Sequence, residues 1–199
     1  LNHLLEVLSG GQTALGKELR RLDDDVDALY SAVKLYLAQV PREVLSEHDS
    51  RRWAEIIELA VNLEQAGDII ERMLGKVQDQ KTAQRHSFSD SGLEELTALH
   101  AQLLANLRLG LSVFLSADKE SARQLLREKR RFRAQERRLA HAHVSRLHHQ
   151  VVQSIETSAL HMELIADMKR LNSLFCASAY VVLESSETGA LHQEDSGAD

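Results

Sequence analysis

The chain has 199 residues with a single proline, and its 24 Lys and Arg against 30 Asp and Glu give a formal net charge of −6. About ten prolines would be average for this length, and the β-branched runs and Gly/Pro turns that a β-sandwich, a β-barrel or an α/β fold requires are missing. Leu, Ala, Glu, Arg and Gln favour helices, so the composition predicts an all-α protein. The acidic balance argues against nucleic acid as a partner, and the single cysteine, Cys176, excludes an intramolecular disulfide.

Apolar residues recur at every third or fourth position along nearly the whole chain, which predicts a succession of amphipathic helices. They are expected at about residues 1–8, 22–40, 56–77, 93–114, 119–147 and 151–183. The first of these resembles only the end of a helix, and the chain begins without a methionine or a signal peptide. We therefore expect a piece of a longer protein with a truncated first helix. No apolar run approaches 18 residues in length, so no membrane-spanning segment is expected.

The polar stretch at residues 79–91 interrupts the apolar pattern and is the predicted linker between two units, 1–78 and 92–184. Residues 185–199 have the composition of a disordered tail, and a turn is predicted at residues 116–118. Long helices with short connections favour an antiparallel bundle. We therefore predict an all-α antiparallel six-helix bundle of two three-helix repeats, in which the first helix is truncated.

Pairs of carboxylates four residues apart are the most informative feature of the sequence. They are Asp23 with Asp27, Glu64 with Asp68, and Glu163 with Asp167. This spacing places both side chains of a pair on one helical face, and each pair lies beside an apolar stripe that is expected to face another helix. Carboxylates that converge between helices form metal sites. The alternative interpretation is a solvated helix face, since such pairs arise by chance in a chain with 30 acidic residues.

Other patterns point away from catalysis. None of the ten histidines has a glutamate three positions before it, so the Glu-x-x-His motifs of di-iron proteins are absent, and no nucleotide-binding loop or nucleophile motif is present. His141, His143, His148 and His149 are interpreted as a solvated helix end rather than a zinc site. The run Arg127–Arg138 has seven basic residues in twelve. It is interpreted as a charged outer face, with contact to an acidic partner or an anionic lipid surface as the alternative.

Two segments resemble the PhoU domain, namely RLDDDVDALY at residues 21–30 and NLEQAGDIIE at residues 62–71. Further along, SIETSALHME at residues 154–163 and DMKRLNS at residues 167–173 resemble the PhoU-like C-terminal domain of bacterial sodium/phosphate cotransporters. The resemblance covers about residues 1–184. It implies a six-helix bundle of two repeats at the cytoplasmic face of the bacterial inner membrane, linked to phosphate transport and its control.

Some members of this family bind clusters of iron or zinc through their acidic motifs, and the resemblance implies where such sites would lie. Asp23, Asp27, Glu64 and Asp68 would form the first site. Glu163 and Asp167 would form half of the second. The other half is replaced by the basic stretch at residues 128–133, which would repel a metal or neutralise that pair of carboxylates directly.

The resemblance implies a non-enzymatic regulatory domain of a sodium-dependent phosphate transporter, whose partner is the transmembrane domain of the same longer chain. Such a domain would control phosphate uptake or phosphate export. The alternative is a free-standing PhoU-like adaptor that signals phosphate status to a separate transport or sensor complex. A metal-dependent enzyme, as a third class, would need turnover that depends on the acidic motifs. Assembly into a homo-oligomer is left open, and neither nucleic acid nor a membrane span within this chain is expected.

Overall fold

A computed structural model of the chain describes residues 14–41, 45–84, 88–148 and 155–184. It contains the helices α1 (Ala14–Ala38), α2 (Glu47–Gln84), α3 (Asp90–Ser116), α4 (Lys119–His148) and α5 (Ser158–Phe175). Residues 178–184 are again helical after a turn, and no strand occurs among the described residues. The prediction of an all-α helical bundle is therefore confirmed. The expected first helix at residues 1–8 and the tail at residues 185–199 lie outside the described residues.

The core of the bundle is shared by α2, α3, α4 and α5, whereas α1 packs against α2. Each of the four core helices contributes fully buried side chains, which include Met73, Leu99, Phe132, Leu164 and Met168. Burying an apolar side chain of this size stabilises a fold by about 1.5–3 kcal/mol. Helices from both predicted repeats therefore contribute to one apolar cluster.

An apolar groove of about 500 Å³ lies between α1 and the core. Its lining residues include Val26, Leu29, Leu63, Ile70 and Leu107. Leu29 of α1 is 66% exposed, and among the described side chains of α1 Leu37 alone is fully buried. Because its apolar residues are only partly covered, α1 is the least buried helix of the bundle.

The predicted turn at residues 116–118 connects α3 to α4. Ala117 has a positive φ of 51°, and its N–H donates to the Val113 carbonyl at 2.9 Å, which ends α3. The Asp118 carboxylate then accepts a hydrogen bond from the Ser121 N–H at 2.8 Å and caps the start of α4. A left-handed residue after the last helical turn redirects the chain, so α4 returns along α3 and packs against it.

The boundaries of α2 differ from the prediction at both ends. The helix continues to Gln84, so residues 79–84 of the predicted linker are helical. That stretch is polar but contains neither proline nor glycine, and such residues continue a helix as readily as they form a loop. The helix also begins earlier than its apolar stripe, because the Ser46 hydroxyl accepts a hydrogen bond from the Asp49 N–H at 3.1 Å and caps the first turn.

The last predicted helix, at residues 151–183, begins outside the described residues and is interrupted within them. α5 ends at Phe175, and the Ala177 N–H donates to a carbonyl three residues earlier at 3.2 Å, in a tight turn. Gly110 of α3 lies against this break, since a Cβ on Gly110 would be 2.1 Å from the Phe175 carbonyl oxygen. The Ser178 hydroxyl donates to the Gly110 carbonyl at 3.0 Å. The two backbones approach this closely because Gly110 has no side chain.

Among the described helices, α3 is the one long and apolar enough to cross a membrane by length and composition, which the sequence analysis did not anticipate. Its Leu96, Leu99 and Leu103 are fully buried in the core. In the same interior, the Asn106 amide donates to Asn172 Oδ1 at 2.7 Å. A helix that packs in a protein core passes the same test of length and composition, and 33% of the apolar window of α3 is buried inside the bundle.

Replacing Gly110 with alanine is expected to lower the free energy of unfolding by about 3 kcal/mol, because the new methyl group would overlap the Phe175 carbonyl. The matched control is Gly75→Ala on α2, where no atom lies within 4 Å of the added Cβ. Alanine should stabilise α2 at that position by about 0.5–1 kcal/mol. Urea unfolding followed by circular dichroism measures both variants, and equal stabilities would contradict the close approach of α3 and α5.

Candidate functional site

The first predicted carboxylate set lies where α1 packs on α2. Asp23 of α1 sits over Gly67 of α2, since a Cβ on Gly67 would lie 2.6 Å from Asp23 Oδ1. Burial raises the pKa of Asp23, and neighbouring carboxylates raise it further. In order of their effect, these neighbours are Glu71, Asp27, Asp68 and Asp24. The Asp23 carboxylate is therefore held against repulsion from surrounding negative charge.

The structure brings three of the four predicted residues of this set together and adds one that the sequence analysis missed. Asp23 is half-buried, and Asp27 and Asp68 are exposed. The missed residue is Glu71, which lies three positions after Asp68 and therefore on the same face of α2. This spacing is the sequence signal from which Glu71 could have been predicted. Glu64 lies half-buried one turn before Asp68. No three His, Cys, Asp or Glu side chains in the described part of the chain converge closely enough to hold a metal ion.

The second carboxylate pair is neutralised by cations of the protein itself. Asp167 is 2% exposed, and its oxygens lie 3.1 Å from Arg72 Nη2, 3.4 Å from Lys76 Nζ and 3.0 Å from Arg170 Nη1. Lys76 Nζ also lies 2.8 Å from the carboxylate of Glu163. The hydrogen bond to Glu163 and the charge of Asp167 raise the pKa of Lys76. We call these five residues the Asp167 cluster.

The origin of these cations corrects the sequence-based expectation. The sequence predicts that the basic stretch at residues 128–133 either repels a metal or neutralises the pair directly. In the structure, Lys129 lies against Tyr180 and Arg131 pairs with Glu128, so these two residues do not neutralise it. Arg72 and Lys76 come instead from α2, which packs against α5. A metal ion would have to displace cations that already compensate a buried carboxylate. Glu163 and Asp167 therefore do not fit a metal site.

A second polar cluster, which no motif predicted, joins α3, α4 and α5. We call it the Glu95 cluster, and it consists of Glu95, His143, Arg146, Ser158 and His161. The guanidinium of Arg146 donates two hydrogen bonds to Glu95, at 2.6 and 2.7 Å, and His161 Nε2 lies 3.2 Å from the same carboxylate. The rings of His143 and His161 stack with their centroids 4.9 Å apart. A bidentate Arg–carboxylate pair of this kind fixes the geometry of both side chains.

The position of His143 corrects the interpretation of the histidine run as a solvated helix end. His143 is 2% exposed, because α5 covers the face of α4 on which it lies. His141 and His148 are exposed, as expected, and His149 lies outside the described residues. The sequence signal that separates them is helical spacing, since His143 shares a face with the buried Phe132 and the half-buried Leu139 rather than with His141.

The hydrogen bonds of the Glu95 cluster argue against a catalytic role. His143 Nε2 lies 2.8 Å from the hydroxyl of Ser158, the geometry of a nucleophile and its base. On the other side of the ring, Arg146 approaches His143 Nδ1 at 3.5 Å. Arginine only donates, so this contact favours the tautomer of neutral His143 that carries its proton on Nε2 and donates it to Ser158. His143 in this state does not accept the serine proton.

The remaining nucleophile candidate is also inert. Cys176 is fully buried beside α3 and α4, and burial raises the pKa of its thiol to about 12. Because the thiolate is the reactive form of cysteine, this thiol is a small core side chain. The described residues thus present ion pairs and packing groups rather than an activated nucleophile.

Residues 1–77 match the family model described as PhoU domain, which confirms the resemblance of this part of the chain to that domain. The chain is also 57% identical over 189 residues, 95% of its length, to the "Putative inorganic phosphate export protein YjbB" of Escherichia coli (strain K12). It is 59% identical over 180 residues, 90% of its length, to the protein of the same name from Salmonella typhimurium.

The chain matches only part of the length of these relatives. The chain spans 34% of the Escherichia coli protein and 33% of the Salmonella typhimurium protein, about a third of each. No solved structure gives a significant match to the chain.

The buried His161 is expected to make the fold less stable in acid. Burial lowers the pKa of His161 to about 4, and the neighbouring His143 contributes in the same direction, whereas an unfolded histidine titrates near 6.5. Between these values the unfolded chain binds more protons, so the free energy of unfolding is fully present above about pH 6.5 and decreases towards about pH 4. The expected loss from His161 is about 2 kcal/mol between about pH 7 and about pH 5.

Urea unfolding at the two pH values tests this linkage. The His161→Gln variant should lose most of this difference in stability, whatever its stability at neutral pH. The control is His48→Gln, since His48 is 87% exposed and should leave the difference unchanged. The same pH dependence in His161→Gln as in the parent chain would show that His161 is not its source.

Proposed function

We propose that this chain is a non-enzymatic regulatory domain of a sodium-dependent phosphate transporter, at the cytoplasmic face of the bacterial inner membrane. The observation that carries the proposal is the 57% identity over 189 residues to a protein named for inorganic phosphate export. Because the chain spans about a third of that relative, we assign the transport segment to the remainder of a longer chain. The name of the relative favours export over uptake as the controlled step.

The contacts within the bundle support conformational control rather than turnover. The Asp167 cluster connects α2 to α5, and the Glu95 cluster connects α3, α4 and α5. Together with the apolar core, they join the four core helices, so these helices move as one unit. A rigid domain that binds one conformation of a transporter more tightly than another shifts the equilibrium between the two conformations.

A phosphate efflux measurement tests this proposal. A strain lacking the transporter is complemented with the full reading frame that contains this chain, or with the same frame without residues 1–184, and release of preloaded radioactive phosphate is followed. Removing the domain is expected to change the efflux rate about fivefold, a coupling of about 1 kcal/mol. Immunoblotting of the membrane fraction controls for the amount of transporter.

The free-standing adaptor is the alternative, and the PhoU domain match to residues 1–77 fits it equally well. The reading frame upstream of Leu1 separates the two proposals, because the transporter proposal requires hydrophobic spans there and the adaptor proposal does not. Unchanged efflux after removal of the domain would contradict control of transport by either route in that strain.

Binding of iron or zinc at the first carboxylate set, which the family resemblance implies, stays a prediction. Its support is electrostatic, since a cation would relieve the repulsion that raises the pKa of Asp23. The side chains would have to rotate to reach one ion, because no three of them converge in the described structure. Any such site is therefore weaker than a preformed cage.

Elemental analysis of the purified chain tests the metal prediction. If the first set binds iron or zinc, chain from supplemented cultures retains metal, and the Asp23→Asn variant loses it. Asp25→Asn is the matched control, since Asp25 lies two residues away on an exposed position of α1 and should not change the metal content. Metal-free parent chain after supplementation would contradict the prediction.

A further inference from the structure

The solvent-facing side of α4 carries an unusual excess of positive charge. This helix contains ten Lys and Arg against three Glu, a net charge of +7. The whole chain has a net charge of −6, so the remaining residues carry −13. Eight of the Lys and Arg side chains, all between Lys119 and Arg138, are exposed, and we call them the basic face.

Intramolecular ion pairs neutralise only part of the basic face. Glu120 pairs with both Arg123 and Arg127, and Glu128 pairs with Arg131. Four further arginines of the basic face have no acidic partner in the part of the chain that the structure describes. These unpaired residues are Arg130, Arg133, Arg137 and Arg138. All four are exposed, so their charges are accessible to an external partner.

The geometry of α4 makes the basic face long and broad. At 3.6 residues per turn, its side chains cover roughly half of the helix circumference. The opposite side of α4 packs on α3 and α5, where Phe132 is fully buried. A helix of 30 residues is about 45 Å long at 1.5 Å per residue. The basic face runs from Lys119 to Arg138, which is 20 residues and about 30 Å of this length, so it presents an extended strip.

We propose that the basic face of α4 lies along the surface of an anionic phospholipid membrane. A planar array of phosphate headgroups contacts a broad, straight strip of arginines along its whole length, and guanidinium groups pair well with phosphate oxygens. The acidic residues of the first carboxylate set lie on α1 and α2, helices that do not form the packing surfaces of α4. A planar membrane can therefore contact α4 without approaching those carboxylates.

Nucleic acid fits this surface less well. Binding of single strands uses aromatic side chains for base stacking, and the aromatic residue of α4, Phe132, faces the core. The inference does not depend on phosphate transport, because it concerns lipid headgroups and needs no transporter.

Vesicle cosedimentation of the 199-residue chain tests the proposal. The probes are vesicles of phosphatidylcholine alone and vesicles of phosphatidylcholine with phosphatidylglycerol in equal parts, at about 0.1 M and about 1 M NaCl. We expect binding to the anionic vesicles at the lower salt concentration and none to the neutral vesicles. The higher concentration shortens the screening length to about 3 Å and should release the chain.

Two sets of substitutions with the same change in charge locate the binding surface. The first set converts Arg130, Arg133, Arg137 and Arg138 to glutamine. The second set converts Arg21, Lys34, Arg51 and Arg108, exposed residues of α1, α2 and α3, to glutamine. The first set is expected to weaken binding on the order of 1,000-fold, since each basic residue near the surface contributes about 1 kcal/mol. The second should change it much less, and thermal unfolding verifies that both variants fold.

Three outcomes would overturn the proposal. One is the absence of binding to anionic vesicles at the lower salt concentration. Another is equal weakening by the two sets of substitutions, which would mean that net charge and not the basic face determines binding. The third is tighter binding of a DNA duplex or of polyglutamate than of the vesicles under the same conditions, which would assign the surface to a nucleic acid or an acidic protein.

Discussion

The buried carboxylate of Asp167 is the interaction on which the packing of the two halves of the chain depends. An ion removed from water costs several kcal/mol unless opposite charge and hydrogen bonds compensate for it. At this position the compensation comes from Arg72 and Lys76 of α2 as well as from Arg170 of α5 itself. The register of α2 against α5 is therefore fixed by charge, and the apolar residues beside it, such as Met73 and Met168, are buried in that register.

The same requirement explains why two acidic motifs with the same spacing have different properties. The carboxylates near Asp23 face one another and raise its pKa, whereas the carboxylates of Glu163 and Asp167 face a lysine and arginines. One motif retains uncompensated negative charge, and the other is neutralised within the fold. Only the first therefore has an electrostatic reason to attract a cation from solution.

The sequence was sufficient to predict the features that depend on local spacing. Apolar periodicity predicted the helices, and the turn at residues 116–118 was predicted from its residues. The carboxylate pairs were each placed correctly on one helix. The sequence was not sufficient to predict features that depend on which helices pack against one another. Nothing in the spacing of Lys76 indicates that it reaches Asp167, and the burial of His143 follows from the cover that α5 provides.

Helix boundaries were the other source of error, for a related reason. The polarity of residues 79–84 was interpreted as a linker, although polar residues without proline or glycine also continue a helix. The interruption of the last helix near Phe175 depends on Gly110, which lies 65 positions earlier in the chain. An effect of this kind arises only in the folded state, so the periodicity of either segment alone does not contain it.

The weak attachment of α1 has a consequence for the dynamics of the bundle. Segments with few buried side chains open at a lower free energy than the core of the same protein. α1 has one fully buried side chain among those described, and Asp23 faces like charges across its contact with α2. The bundle is therefore expected to open sub-globally, with α1 separating while the α2–α5 core stays folded. Amide hydrogens of α1 would then exchange with solvent faster than those of α3, and raising the ionic strength would slow their exchange by screening the carboxylates.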